Sequence, residues 1–519
     1  MNYLDHTKTK MEIGDAETDL RALKILRDIN NHTRINFRVL IPPEKNDDHL
    51  IQRMLEQPVK ITHTTETETI IFCQGVITDC NMEKERDEYT LYGTALSYTY
   101  YLDIIKRSRS FQNIRQTKQD FFKNILIMDE QEAQERLAPN VDLVKDVMDV
   151  YSRAYFIDYA IDPKGEFEKK KFDAQLQETD WALLMRKCSE ENAGLIVDDT
   201  KDSPQIKIGM PDDLPEEELP GDRYVMHRNL AMFRRAGANA IESLPENGFF
   251  SYSVASDKLL SLGQPVKFLE RTMYVASSVS TLNENGALTN EYLLTIEDGL
   301  KTPTYHNPLF TGVSLQGRVI DVERDKIKVH IFSIDPEQDL DTAYWMPYST
   351  MYSSGMSHGW YAMPEKQDIV RVHFPTPKED ECVGLSSVSK ETSQANGSAQ
   401  PQSGDSDGGG GNDEFGMNRD RLYDPAIKSL MTAYGKEIIL HPGFIRIQGK
   451  GVTITLDDGG GIEINTDKSI TMNAAENVVV NAKNILVKGN DKISMSCNGS
   501  NLEMSPGEMK LSGPQVKIN

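Results

Sequence analysis

The sequence predicts a mainly β protein in three parts: an α+β amino-terminal region, a small five-stranded barrel and an elongated carboxy-terminal β-rod. Three observations carry this expectation. Strand and helix periodicities are mixed through residues 1–305, short turn-bounded strands fill residues 306–390, and residues 422–519 repeat an apolar pair about every eight positions. A Gly/Ser/Asp stretch, 391–421, separates the second part from the third.

In the first part, strands are expected over 35–41, 59–64 and 69–76, where β-branched and aromatic residues dominate. Apolar residues three and four apart predict helices over 117–127, 141–151 and 180–189. Thr179 stands where a side-chain oxygen would cap the last of these. Gly194-Leu195-Ile196-Val197-Asp198 and Gln205-Ile206-Lys207-Ile208-Gly209 read as a hairpin, and 211–220 as an acidic, proline-bounded surface loop. Mixed types of this kind indicate an α+β region of two barrel-like subdomains plus helices.

In the second part, Leu315–Ile320, Lys326–Ile331 and Asp368–Phe374 read as strands, the last alternating strictly as a half-buried strand does. Their number and length suit a five-stranded barrel, with 349–360 as its long loop. The run Gly408-Gly409-Gly410-Gly411 within 391–412 cannot bury enough to order itself, which makes that segment a flexible linker.

The rod rests on pairs two positions apart: Ile454/Leu456, Ile462/Ile464, Ile470/Met472, Val478/Val480 and, after two registers shifted by one, Leu502/Met504. The shifted registers are Ile485/Val487 and Ile493/Met495, and Ile438/Leu440 fits upstream. An i, i+2 spacing puts both members on one side of an extended strand, so each octad should be one strand and one turn. One octad buries about two side chains at roughly 1.5–3 kcal/mol each, against an ordering cost of roughly 1–2 kcal/mol per residue. Such units therefore need neighbours stacked on them, from the same chain or from identical chains alongside. Lys468, Lys483, Lys488 and Lys492 would then face water.

Composition excludes several function classes. A formal charge of −23 is a poor basis for holding a phosphate backbone, so no nucleic-acid partner is expected. No run approaches the roughly 20 apolar residues that span a bilayer, and 1–12 has no apolar signal core, which predicts cytoplasmic synthesis. Cys73, Cys80, Cys188, Cys382 and Cys497 form no C-x-x-C pair and read as small buried hydrophobes. Asp457 and Asp458 could be imagined as a glycosidase pair, but the following Gly459-Gly460-Gly461 favours a turn. His330, His373 and His441 lack metal-ligand spacing, and His358, near Ser353 and Ser354, has no G-x-S-x-G elbow. Tyr344, Tyr348, Tyr352 and Trp360 could stack bases, though the acidity argues for protein contacts instead. No catalytic residue, metal ligand or cofactor is assigned.

Ordered along nearly the whole chain are segments that resemble the VgrG family, the spike proteins of contractile injection systems, which are similar to phage-tail hubs and spikes. Ile35-Asn36-Phe37-Arg38-Val39-Leu40 resembles its early hub strand, and Phe72-Cys73-Gln74-Gly75-Val76-Ile77-Thr78 its F-x-G-x-V-T strand. Ala95-Leu96-Ser97, Leu102-Asp103 and Arg109-Ser110-Phe111-Gln112-Asn113 are similar to the segment ending its first hub barrel. Gln177-Glu178-Thr179-Asp180-Trp181, with Leu184 and Arg186, resembles its Q-x-E-S-D-W-x-F-L-x-R. Gly317-Arg318-Val319, Lys328-Val329, Trp345-Met346 and Pro364 ahead of Asp368-Ile369-Val370 resemble its oligonucleotide/oligosaccharide-binding-type (OB-fold) barrel, with Gln367 standing where that family usually has Gly.

The resemblance implies a homotrimer whose rod is a triple-stranded β-helix, with Ile454, Leu456, Ile462, Ile464, Ile470, Met472, Val478, Val480, Leu502 and Met504 as its core. It further implies a role capping an inner tube of Hcp-like rings, mounted on baseplate proteins and driven outward as an envelope-puncturing spike. Val516, Lys517, Ile518 and Asn519 would meet a PAAR-type tip protein, and effector cargo is a possible passenger. The alternative is a β-solenoid that binds or cleaves a surface glycan.

Overall fold

Most strands of the amino-terminal region belong to one sheet linked by hydrogen bonds without a break, as a computed structural model of the 519-residue chain shows. The structure describes residues 8–14, 16–41, 54–65, 68–86, 88–137, 140–228, 250–282, 286–335, 340–351, 362–385, 426–432 and 434–517. The chain divides into two units, Met1–Ser393 and Gln394–Asn519. The expected linker 391–412 lies outside the described residues.

The first unit is mainly β. Among the described residues its largest sheet has thirteen strands. Asp19–Asp28, Arg34–Ile41, Glu88–Leu96, Thr69–Glu85, Pro58–Thr64 and Thr9–Ile13 pair antiparallel in that order. Alternation along Arg34–Ile41 sends Ile35, Phe37 and Val39 inward with Leu23, Ile25, Val59 and Ile61, which makes one core. A second core, with Val254, Val266, Phe268, Val275 and Leu294, lies inside Phe250–Ser256, Pro265–Phe268, Arg271–Leu282 and Leu288–Thr295. Arg271–Leu282 pairs with Asp19–Asp28, Ser277 opposite Asp28, and so joins both halves into one near-closed, barrel-like sheet. The expected strand at 69–76 continues to Glu85.

Among the described residues four α-helices pack beside this sheet. Lys118–Ile125, Val141–Ser152 and Asp180–Ser189 begin at Thr117, Asn140 and Thr179, whose side-chain oxygens accept from Asp120 N at 3.0 Å, Leu143 N at 3.1 Å and Ala182 N at 3.2 Å. Glu130–Leu137 is an additional helix. Their apolar faces meet through Phe121, Phe122, Val147, Trp181 and Leu184. The expected hairpin forms, Leu195–Val197 against Gln205–Ile208, and Tyr155–Asp158 adds a parallel strand to it.

The small barrel has five antiparallel strands in the order Met346–Pro347, Lys326–Ile331, Ser314–Glu323, Ile369–His373, Val383–Leu385. A bridge between Tyr348 and Gly384, with Ser349 N donating to Gly384 O at 2.8 Å, brings the outer strands together. Gly317 is required by crowding, since a Cβ there would sit 2.3 Å from Val329 Cγ1 and 2.7 Å from His330 O. Gln367 takes φ +82°, and the tight turn forms: its N donates to Val319 O at 2.8 Å and Glu365 N to Asp368 Oδ2 at 2.9 Å.

Buried charges fix the barrel to the helical part. Arg186, 1% exposed, donates to Glu178 and to Glu379 Oε1 at 2.5 Å, and Lys187 reaches Glu379 at 2.6 Å and Asp173 at 2.6 Å. Burial alone would raise the Glu379 carboxyl, but Lys187 and Arg186 outweigh it and hold it below its usual range. Gln112 Nε2 donates to Val329 O at 3.0 Å and to Asp335 at 2.7 Å, while Phe172 enters the barrel core beside Phe374.

Candidate functional site: an uncovered apolar face

In the second unit the repeat begins as an antiparallel meander, Lys428–Met431, Glu437–His441, Phe444–Gly449, Val452–Asp457 and Gly461–Thr466. Register stacks the apolar pairs into two rows. One row is Leu430, Ile438, Ile447, Ile454 and Ile464, and the other is Leu440, Ile445, Leu456 and Ile462. Because side chains alternate, both rows lie on one face of the sheet. The opposite face carries Ile439, Arg446 and Thr455, at 0%, 2% and 8% exposure. There Arg446 Nε donates to Thr455 Oγ1 at 3.3 Å, and Gln448 Nε2 to Glu437 at 2.7 Å.

The apolar face is therefore the exposed one in a single chain, a reversal of the usual arrangement. Ile462 is 75% exposed and Ile464 52%. Beyond Thr466 the chain forms no strand pairing until Ile493. Throughout that stretch Ile470, Met472, Val478, Val480, Ile485 and Val487 all stand exposed. The last three strands, Ile493–Cys497, Ser500–Ser505 and Glu508–Ser512, pair Met495 with Leu502 and Met504 with Ile493 and Met509. Leu502 and Met504 are half-buried. Lys468, Lys483, Lys488 and Lys492 face outward as well. Exposed apolar side chains in such number are unusual on a monomer and are the kind of surface at which chains associate.

The first octads are each one strand and one turn, as expected, and the chain reverses direction at each turn, so they are hairpins in the single chain. Ile445 and Ile447 also belong to the face, although an eight-residue count from Ile438 lands on Arg446. Their spacing of two was the available signal, displaced by one as at Ile485/Val487.

The residues weighed for chemistry are dispersed. Asp457 Oδ1 accepts from Gly459 N at 3.0 Å and Gly460 N at 2.6 Å, which commits it to the turn. His330 Nε2 lies 2.5 Å from Asp335 O, His373 Nδ1 lies 2.9 Å from Ser314 Oγ, and His441 stacks on Phe444. His358, Ser353, Ser354, Tyr352 and Trp360 lie outside the described residues, as do Ile518 and Asn519; Val516 is 48% exposed. Cys73, Cys188 and Cys382 are buried as expected, but Cys80 is half-buried and Cys497, on an outer hairpin, is exposed.

One carboxylate cluster escaped sequence reasoning. Asp173, Glu190 and Glu379 converge closely enough to hold a cation. Lys187 Nζ already supplies one, at 2.6, 2.8 and 2.6 Å from them. Asp180, fully buried, is likewise neutralised, by Arg107 at 2.9 Å and Arg109 at 2.7 Å, and accepts from Tyr151 Oη at 2.8 Å. These groups hold the fold together; their partners sit up to 193 positions apart, beyond any local pattern.

No known family description matches the sequence, and neither does any curated protein. Solved structures do match. An E. coli protein described as a type VI secretion component with structural similarity to the T4 phage tail proteins gp27 and gp5 aligns with TM-score 0.50 and 13% identity, over 73% of this chain and 99% of that one. A chain of the half-lidded Francisella PdpA–VgrG complex aligns with TM-score 0.52 and 8% identity over 90% of this chain and 89% of that one. The lidded complex gives TM-score 0.52 and 8% identity over 90% and 81%. By fold, then, this chain is VgrG-like, of the kind shared with phage-tail hub and spike proteins.

Proposed function

We propose that the chain is one subunit of a homotrimeric hub and spike in a contractile injection machine. The observation that carries this reading is the apolar face from Leu430 to Ile464 and its continuation to Val487, which one chain leaves uncovered. Three chains wound together would cover it, as a triple-stranded β-helix, and would leave no free strand edge along the shaft. The core proposed for that shaft is Ile454, Leu456, Ile462, Ile464, Ile470, Met472, Val478, Val480, Leu502 and Met504, to which the register adds Ile438, Leu440, Ile445 and Ile447.

In this reading the near-closed sheet is the hub that caps an Hcp-like inner tube and meets the baseplate. The five-stranded barrel, taken as an OB-fold-type element, transmits load to the shaft, and the shaft punctures the target envelope without chemistry of its own. Val516 and Lys517, with Ile518 and Asn519, are the proposed seat of a PAAR-type tip. The relatives in complex with PdpA support partner proteins or cargo as part of the design. Assembly in the cytoplasm followed by expulsion accords with this role; among the described residues no helix is long and apolar enough to cross a membrane.

The test is a double substitution, Ile462→Asp with Ile470→Asp, in the full chain. Six carboxylates forced into one trimer core should abolish association, read as loss of the trimer mass by light scattering while the first unit keeps its circular dichroism. A trimer that survives the change would contradict the proposed packing.

A further inference from the structure

Within the first unit, a cleft of about 380 Å³ lies where Asn113, Arg115 and Lys170 meet the barrel strand Lys326–Ile331 and residues 341–345. Its lining is unlike the rest of a chain of formal charge −23. Four cations, Arg115, Lys170, Lys326 and Lys328, stand against one carboxylate, Asp341. Lys328 is only 9% exposed. Its ammonium donates to Leu340 O at 2.6 Å and lies 5.0 Å from the centre of the Trp345 ring. Among the described residues no carboxylate is in ion-pair contact with any of the four; Asp321, the nearby acid, is paired with Lys366 at 2.8 Å.

Asp321, opposite Lys328 on Ser314–Glu323, is engaged by Lys366, and of the three donors of the Lys328 ammonium the Leu340 carbonyl occupies one. The remaining donors, the aromatic wall and the cationic rim describe a receptor for an anion carried on a partly apolar body. We infer that this cleft binds an acidic peptide segment of a partner protein, with one carboxylate paired to Lys328 and further acidic groups held at the rim by Arg115, Lys170 and Lys326. A nucleic acid suits it less well. Its phosphates would run past this one cleft along a chain of formal charge −23, with repulsion reaching about 8 Å at physiological salt. The inference draws on no residue of the second unit, and binding at the cleft is read separately from the mass of the assembly.

Three tryptophans make the test direct: Trp360→Phe removes one, and Trp181 is buried in the helical core, so Trp345 reports on the cleft. Tetraglutamate titrated into the full chain in that background should change its emission saturably, with an apparent Kd that rises in high salt. Lys328→Met, which keeps the stem on Trp345, should weaken binding about tenfold. Lys170→Gln, on the exposed rim, should weaken it about threefold and decides the matter should the Met variant not fold. Absence of a saturable response, or one that the foldable variants leave unchanged, would overturn the proposal. Equal or tighter binding of tripolyphosphate would also overturn it, and would reassign the cleft to a phosphoryl ligand.

Discussion

Arg186, Lys187, Asp173 and Glu379 show what single residues contribute here, because a buried charge is tolerated only while its partners are present. Arg186→Met should lower the stability of the first unit by about 3–5 kcal/mol, read from urea denaturation, since Glu178 and Glu379 would be left facing each other without it. Acid should act on the same place. Burial favours the neutral forms of Asp173 and Glu379, but their cations win, Lys187 and Lys169 at Asp173 and Lys187 and Arg186 at Glu379, and both carboxyls are held below their usual range. Their contribution is therefore complete above the unfolded carboxylate range near about pH 4 and is lost as pH falls below it. The melting temperature should fall steeply below that pH, and Glu379→Gln should flatten the acid limb while lowering the plateau. At Gln367, with φ +82°, replacement by Gly should raise stability by up to about 1 kcal/mol, as relief of left-handed strain outweighs the added unfolded-state freedom. An unchanged or lower denaturation midpoint would contradict that account. Thr179 as a helix cap was legible from sequence because capping is local; the Arg186 network was not, because Glu379 lies 193 positions away.

At the scale of elements, the spacing of the apolar pairs was legible and the path of the chain was not. An i, i+2 repeat specifies which residues share a face but is silent on whether the next strand runs parallel or back. The meander is seen only in the register, which sets Ile447 beside Ile454 and Leu456 beside Ile462. The same limit applies to the large sheet: Asp19–Asp28 and Arg271–Leu282, neither of them among the strands expected from the sequence, pair with each other, and nothing near either announces the other as its neighbour. The two faces of the meander make opposite predictions. Ile439→Ala should cost about 2–4 kcal/mol at any protein concentration, because Ile439 is fully buried within one chain. Ile447→Ser, on the open face, should matter only through association. Its thermal transition should shift down with dilution more strongly than that of the unsubstituted protein.

On the scale of the whole molecule, the two units differ in kind. Among the described residues the first has four buried cores, and its buried carboxylates Asp173, Asp180 and Glu379 are each paired with a cation. The second exposes the side chains that should form its core, and the described residues between Thr466 and Ile493 make no strand ladder of their own. If three chains cover that face, as proposed, the stability of the second unit should depend on the concentration of the chain. The mass of the full-length protein in solution, measured by light scattering on the column-purified species, is the most direct test. The account predicts three times the chain mass, held on dilution through the micromolar range. A folded species of single-chain mass, with its carboxy-terminal strands protected from hydrogen exchange, would contradict it.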